Sequence, residues 1–302
     1  MASIPDLYIL GFFILVLLGI QWGGYYVWIR PHGGAGGVQG TAMLLLIILT
    51  MSGGFIGAFS WWMGIPGSFA WDLPPLAGRM LGVAGWCFAF AAFMSLQHPS
   101  RRRVRLVLLM LAVYLTPLLV ALLLFHLQRL DFAEPITYAF LLVVILLSAG
   151  ALWFLLRQPT ILSETPRDTA AARRSVRVWL VAVAVIVGLW GVALFLTDQG
   201  PSGEIWAWPG DGLTNRLIAA MLMTIAVSAL LNCTYADVAR IMLGVTWLYG
   251  MGLAVASAWN RLAGKPIKLS YLVVFGAIGL GSAVLLLLDR PVSQPANRFA
   301  PR

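Results

Sequence analysis

Long apolar stretches, each about 20 residues, recur along the chain and are separated by short segments that collect its prolines, glycines and charges. They run approximately Leu7 to Ile29, Thr41 to Trp62, Leu76 to Gln97, Leu106 to Phe125, Ile136 to Leu156, Val178 to Thr197, Leu213 to Thr234, Ile241 to Asn260 and Leu269 to Leu288. A helix of about 20 residues covers about 30 Å, the thickness of a bilayer's hydrocarbon core. Nine transmembrane helices are therefore predicted. A spanning β-barrel would show shorter segments alternating apolar and polar positions, and runs such as Leu44 to Leu49 do not alternate. The first stretch has no basic residue before it and no small-x-small cleavage site after it, so it is read as an uncleaved helix.

A second pattern lies on top of the first. Phe69-Ala-Trp-Asp-Leu-Pro-Pro-Leu-Ala-Gly-Arg79 and Trp206-Ala-Trp-Pro-Gly-Asp-Gly-Leu-Thr-Asn-Arg216 align without gaps. Trp71 then falls on Trp208, Leu76 on Leu213 and Arg79 on Arg216. The likeness continues where Arg105 meets Arg240, Tyr114 meets Tyr249 and Val120-Ala121 meets Val255-Ala256. The expected organisation is a leading helix and loop (1–40), a four-helix repeat (41–157), a polar linker (158–177), a second four-helix repeat (178–289) and a tail (290–302). An even number of spans per repeat makes both copies enter from the same side. They should be related by a pseudo-twofold axis along the membrane normal.

Composition agrees with a membrane class. Hydrophobic residues make up 61% of the chain and charged residues 10%, against about 25% charged in a soluble domain. The net charge of +9 gathers in short loops on one face, around Arg101 to Arg105, Arg173 to Arg177, Arg240 and Arg290. That face is predicted to be cytoplasmic, with the amino terminus outside and the carboxy terminus inside, in a cell membrane and most simply a bacterial inner membrane. Its partners should be anionic lipid headgroups rather than nucleic acid. Cys87 and Cys233 both fall within spans and carry no pairing or metal motif. Helix contacts are expected at small residues, namely Gly53 with Gly57, and Gly276, Gly279 and Ser282.

No Asp, Glu, Lys or Arg lies in the middle of a span. That argues against ion-coupled transporters, proton pumps and voltage sensors, which place such residues there despite the energetic cost. His32, His98 and His126 do not face one another at matching depth as haem ligands would. No His-Glu-x-x-His or Gly-x-Ser-x-Gly is present. No cofactor and no metal are expected.

The duplicated outer loops supply the candidate ligand- or lipid-binding residues, Trp71, Trp208, Asp72, Asp211, Arg79 and Arg216. Indole rings favour the headgroup level. The Pro74-Pro75 pair suits a helix's first turn, with Asp72 as its N-cap. Arg79 and Arg216 oppose the helix dipole and need a partner: the opposite repeat, a lipid phosphate or a ligand anion. Within the membrane, Tyr114, Tyr249, Thr116 and Asn232 could line a neutral path or be hydrogen-bonded packing residues. The expected function is a non-enzymatic structural, accessory or lipid-interacting subunit of a larger membrane complex. The alternatives are a carrier for a neutral or lipid-like solute between the repeats, and an enzyme at the outer headgroup level.

Overall fold

The computed structural model describes residues 4–32, 37–157, 169–197, 212–265 and 267–289. These build nine long helices: α1 (Ile4–Gly24), α2 (Val38–Met63), α3 (Pro75–Gln97), α4 (Arg101–Phe125), α5 (Pro135–Leu156), α6 (Arg174–Leu196), α7 (Gly212–Asn232), α8 (Ala236–Leu262) and α9 (Leu269–Leu288). Eight of them, α2 to α9, are long and apolar enough to cross a membrane. At the first predicted span the described residues give a shorter apolar helix. Its apolar helical stretch is Ile14–Ile29, and α1 runs into a π-helical turn, Tyr25–Ile29, before the chain reaches α2.

Helix ends follow local chemistry. Prolines open α3 and α5 at Pro75 and Pro135, where the missing N–H has no intrahelical partner to lose. Ser100 caps α4, its side chain accepting from the Arg103 backbone N–H at 3.4 Å. Gly64 ends α2 in the left-handed conformation, φ 65°, which costs a residue without a Cβ little. The expected cap at Asp72 is corrected. The N-cap position of α3 belongs to Pro74, because two prolines set the last extended residues, and Asp72 is left exposed outside the helix.

Sequential helices pack as antiparallel neighbours: α2 with α3, α4 with α5, α6 with α7 and α8 with α9. Two further contacts close the centre, α3 with α8 and α4 with α7. The four central helices are mostly buried, whereas α5, α6 and α9 expose most of their apolar surface, as helices facing lipid do. α1 lies at the periphery, chiefly against α2.

Apolar helices in lipid gain contact energy only by close approach. Gly250 lies so near α9 that a Cβ there would come 2.5 Å from the Gly279 nitrogen. On α2 the predicted register is off by one residue. Gly54, not Gly53, faces α3 and would meet the Gly85 carbonyl at 2.7 Å. Gly53 looks into open space, Gly57 meets only its own Trp61, and Gly276 likewise has nothing within 4 Å. Gly279 and Ser282 do pack: Gly279 sits against Met251, and Ser282 Oγ lies 2.8 Å from Thr246 Oγ1.

The connections α2–α3, α4–α5 and α8–α9, together with the end of α6 and the start of α7, share one end of the bundle, called here the indole end. At the other, the ion-pair end, the Arg103 guanidinium grips the Asp237 carboxylate through two nitrogens and donates to the Met94 carbonyl at 2.9 Å. The described part of the predicted linker is tied down beside this pair. Ala172 N donates to Thr234 O at 2.9 Å and Ala236 N to Ala170 O at 2.8 Å, making a short antiparallel bridge. Residues 158–168 and the tail 290–302 lie outside the described residues. Arg173 pairs with Asp289 at 3.1 Å, and Arg240 donates to the Asp289 carbonyl. The end of α9 is thereby anchored to α8 and to the start of α6.

Candidate functional site

The loop after α2 folds back on itself because Trp61 Nε1 donates to the Ser68 carbonyl at 3.0 Å. That bond sets Phe69 and Trp71 against α5. Ring centres lie 5.6 Å apart for Trp61 and Phe69, 4.4 Å for Phe69 and Trp71, 5.3 Å for Phe69 and Phe140, and 5.5 Å for Trp71 and Phe140. All four contacts are edge-to-face, the arrangement aromatic quadrupoles favour. The result is an aromatic wall at the indole end of the first half.

In front of this wall is an open cavity of about 740 Å³, the vestibule, whose charged lining is Asp72, Arg129, Asp131 and Glu134. The last three come from the α4–α5 connection. Asp131 organises that turn: its Oδ1 accepts from Ala133 N at 2.8 Å and its carbonyl from Thr137 Oγ1 at 2.6 Å. Asp72, Arg129 and Glu134 have no ion-pair partner among the described residues.

Below the vestibule, and sharing Trp61, Ser68, Phe69, Ala70 and Ile136 with it, a narrower slot of about 270 Å³ runs in among α2, α3, α4 and α5. Its walls are nearly all apolar. Thr50 is an exception in name only, since its hydroxyl donates to Leu46 O of its own helix at 2.8 Å. Gly53 and Gly54 form part of the α2 wall, Tyr114 part of the α4 wall, and Leu17 of α1 lies at the side. The open space beside Gly53 is this slot.

In the second half of the chain an aromatic cluster sits among α6, α8 and α9. Trp190, Tyr271 and Phe275 touch one another with ring centres 5.1 to 5.6 Å apart, and Tyr249 lies 5.9 Å from Phe275. Tyr271 and Phe275 are fully buried.

The sequence-predicted residues are thus dispersed. Trp71 and Asp72 line the vestibule, and Tyr114 lines the slot. Tyr249 is a packing residue of the second half. Thr116 bridges α4 to α5 through Ser148, 2.9 Å between hydroxyls. Asn232 donates to Ser228 O of its own helix at 2.9 Å. Arg79 lies over the Trp259 ring, 5.7 Å from its centre, and Arg216 over Phe125 at 5.4 Å and against His126 Nε2. Each arginine of α3 or α7 therefore rests on a helix end in the other half. Trp208 and Asp211 lie outside the described residues.

Sequence reasoning passed over Arg129, Asp131, Glu134 and Phe140. For the three charged residues the signal was the run Gln128-Arg-Leu-Asp-Phe-Ala-Glu134, the charged loop that shares an end with the tryptophan loop. Among the described residues, no three His, Cys, Asp or Glu side chains are grouped to hold a metal ion. Comparison with protein-family models, with curated proteins and with solved structures gives no match.

Proposed function

We propose that this chain is a non-enzymatic multi-pass membrane protein that holds a lipid-like molecule in its first half, as an accessory or structural member of a membrane assembly. One observation carries the reading: a charged vestibule opens directly into an apolar slot. That is the order in which an amphiphile presents head and tail. The two volumes fall around the range of ligand cavities, about 300–1,000 Å³, and the indole rings beside them suit headgroup level.

The lipid reading goes with a particular architecture and orientation. The pairing of α2 with α3 and α4 with α5 is matched by α6 with α7 and α8 with α9, while α3 with α8 is matched by α4 with α7. Arg79 on Trp259 and Arg216 on Phe125 follow the same exchange. This supports two four-helix units about a pseudo-twofold axis along the membrane normal. The arginine-rich loops support a cytoplasmic ion-pair end, so the vestibule opens on the outer leaflet. A solute path between the units has less in its favour. There Gly252 abuts Val83, Gly244 abuts Phe90, and Cys87 Sγ donates to Val245 O at 3.6 Å.

Native mass spectrometry of the full chain released from mild detergent tests the proposal. The wild type is expected to carry a lipid mass, and Gly53→Leu, which grows a side chain into the slot, is expected to lose it. A wild type that carries no lipid, or a Gly53→Leu variant that carries as much, overturns the reading.

A further inference from the structure

We infer that the occupant is a phospholipid with an amine-bearing, zwitterionic headgroup. The inference rests on the reading of the first-half cavity as a lipid site and adds the chemical class of the head.

Charge makes the distinction. The vestibule sets three carboxylates, Asp72, Asp131 and Glu134, against the single guanidinium of Arg129. A phosphodiester finds one charge-assisted donor there, Arg129. An ammonium group carried beyond the phosphate finds carboxylate acceptors, and hydrogen bonds between ionised partners are about twice as strong as neutral ones. Trp61, Phe69 and Trp71 line the same space, and an aromatic ring face attracts a cation. A headgroup with net negative charge would bring its excess charge among three carboxylates, where like charges disfavour each other. An uncharged apolar molecule would use the slot and leave the vestibule to water.

Geometry sets the place of the acyl chain. The slot is open in the first half because Gly53 offers no side chain to it. In the second half, the mutually touching rings of Trp190, Tyr271 and Phe275 occupy the core among α6 and α9. The acyl chain is therefore assigned to the first-half slot.

The test offers the full chain in nanodiscs equal amounts of phosphatidylethanolamine and phosphatidylglycerol with identical acyl chains, and counts retained lipid by native mass spectrometry. Retention of the ethanolamine lipid should exceed that of the glycerol lipid on the order of tenfold, the equivalent of one extra charge-assisted bond. The double substitution Asp72→Asn with Glu134→Gln should level the two, whereas Arg129→Gln should lower both. Equal retention by the wild type, a preference for the glycerol lipid, or a preference that survives the double substitution overturns the inference while leaving the slot occupied. If neither lipid is retained, the lipid-site reading itself falls, and this inference with it.

Discussion

The guanidinium of Arg79, in the second turn of α3, lies 5.7 Å from the ring centre of Trp259 near the end of α8. A cation so close to a helix N-terminus opposes the dipole, and the π face of Trp259 offsets that cost. Trp259 is 54% exposed, so the attraction belongs at the lower end of its range, about 0.5–1 kcal/mol. A double-mutant cycle on Arg79→Gln and Trp259→Leu, read by equilibrium unfolding in mixed micelles, should return a coupling of that size. Strictly additive losses would remove the latch.

Arg103 and Asp237 make a different case, because their side chains are only 7% and 8% exposed. Removing one partner strands the other charge, which costs about 3–5 kcal/mol. Arg103→Met alone should lower the thermal midpoint sharply. Combining it with Asp237→Leu should restore much of the loss, since two apolar groups then replace two charges. A single variant as stable as the wild type would contradict the buried pair.

Two glycines one helix apart should respond with opposite signs. Gly250→Ala forces α8 and α9 apart and should destabilise by about 1–3 kcal/mol, the usual cost of overpacking. Gly276→Ala meets open space and should be neutral or gain about 0.5–1 kcal/mol from helix propensity. Equal midpoints for the two variants would overturn the contact as drawn.

Ser282 joins three helices, accepting from Trp179 Nε1 at 3.0 Å and sharing a hydrogen bond with Thr246. Ser282→Ala leaves the indole N–H without this acceptor. Interhelical polar contacts in membranes average about 0.6 kcal/mol with a maximum near 1.7, so a loss of about 1 kcal/mol is expected in the same unfolding assay. An unchanged midpoint would show that Trp179 gains nothing from this bond.

The helices were legible because bilayer-spanning segments must be long and continuously apolar, a constraint that acts locally on sequence. Their mutual contacts were not. The Gly53 and Gly57 pair matched a spacing rule, but the rotation of α2 about its own axis is set by α3, and that rotation brought Gly54 to the contact. Arg103 and Asp237 are separated by 134 positions, and each looks like an ordinary loop charge in isolation. The tryptophan loop pointed to the right end of the bundle, whereas the charged residues of the candidate vestibule came from a second loop that only the fold brings beside it. Pro74 displaced Asp72 from its expected cap because backbone restriction by a proline pair outweighs one side-chain hydrogen bond.

The close contact of Gly250 with Gly279 also sets a length scale. α9 has 20 residues and α8 has 27, about 30 Å and 40 Å at 1.5 Å per residue. Since Arg240 reaches the Asp289 carbonyl, the surplus of α8 must project past both ends of its shorter neighbour. Asp237 then stands beyond one rim and Arg261 beyond the other, leaving between them an apolar belt about 30 Å deep, the match for an average hydrocarbon thickness. A thicker bilayer would have to thin around α9 or draw charged ends of α8 inward, so the shortest helix is the gauge by which this protein suits its membrane.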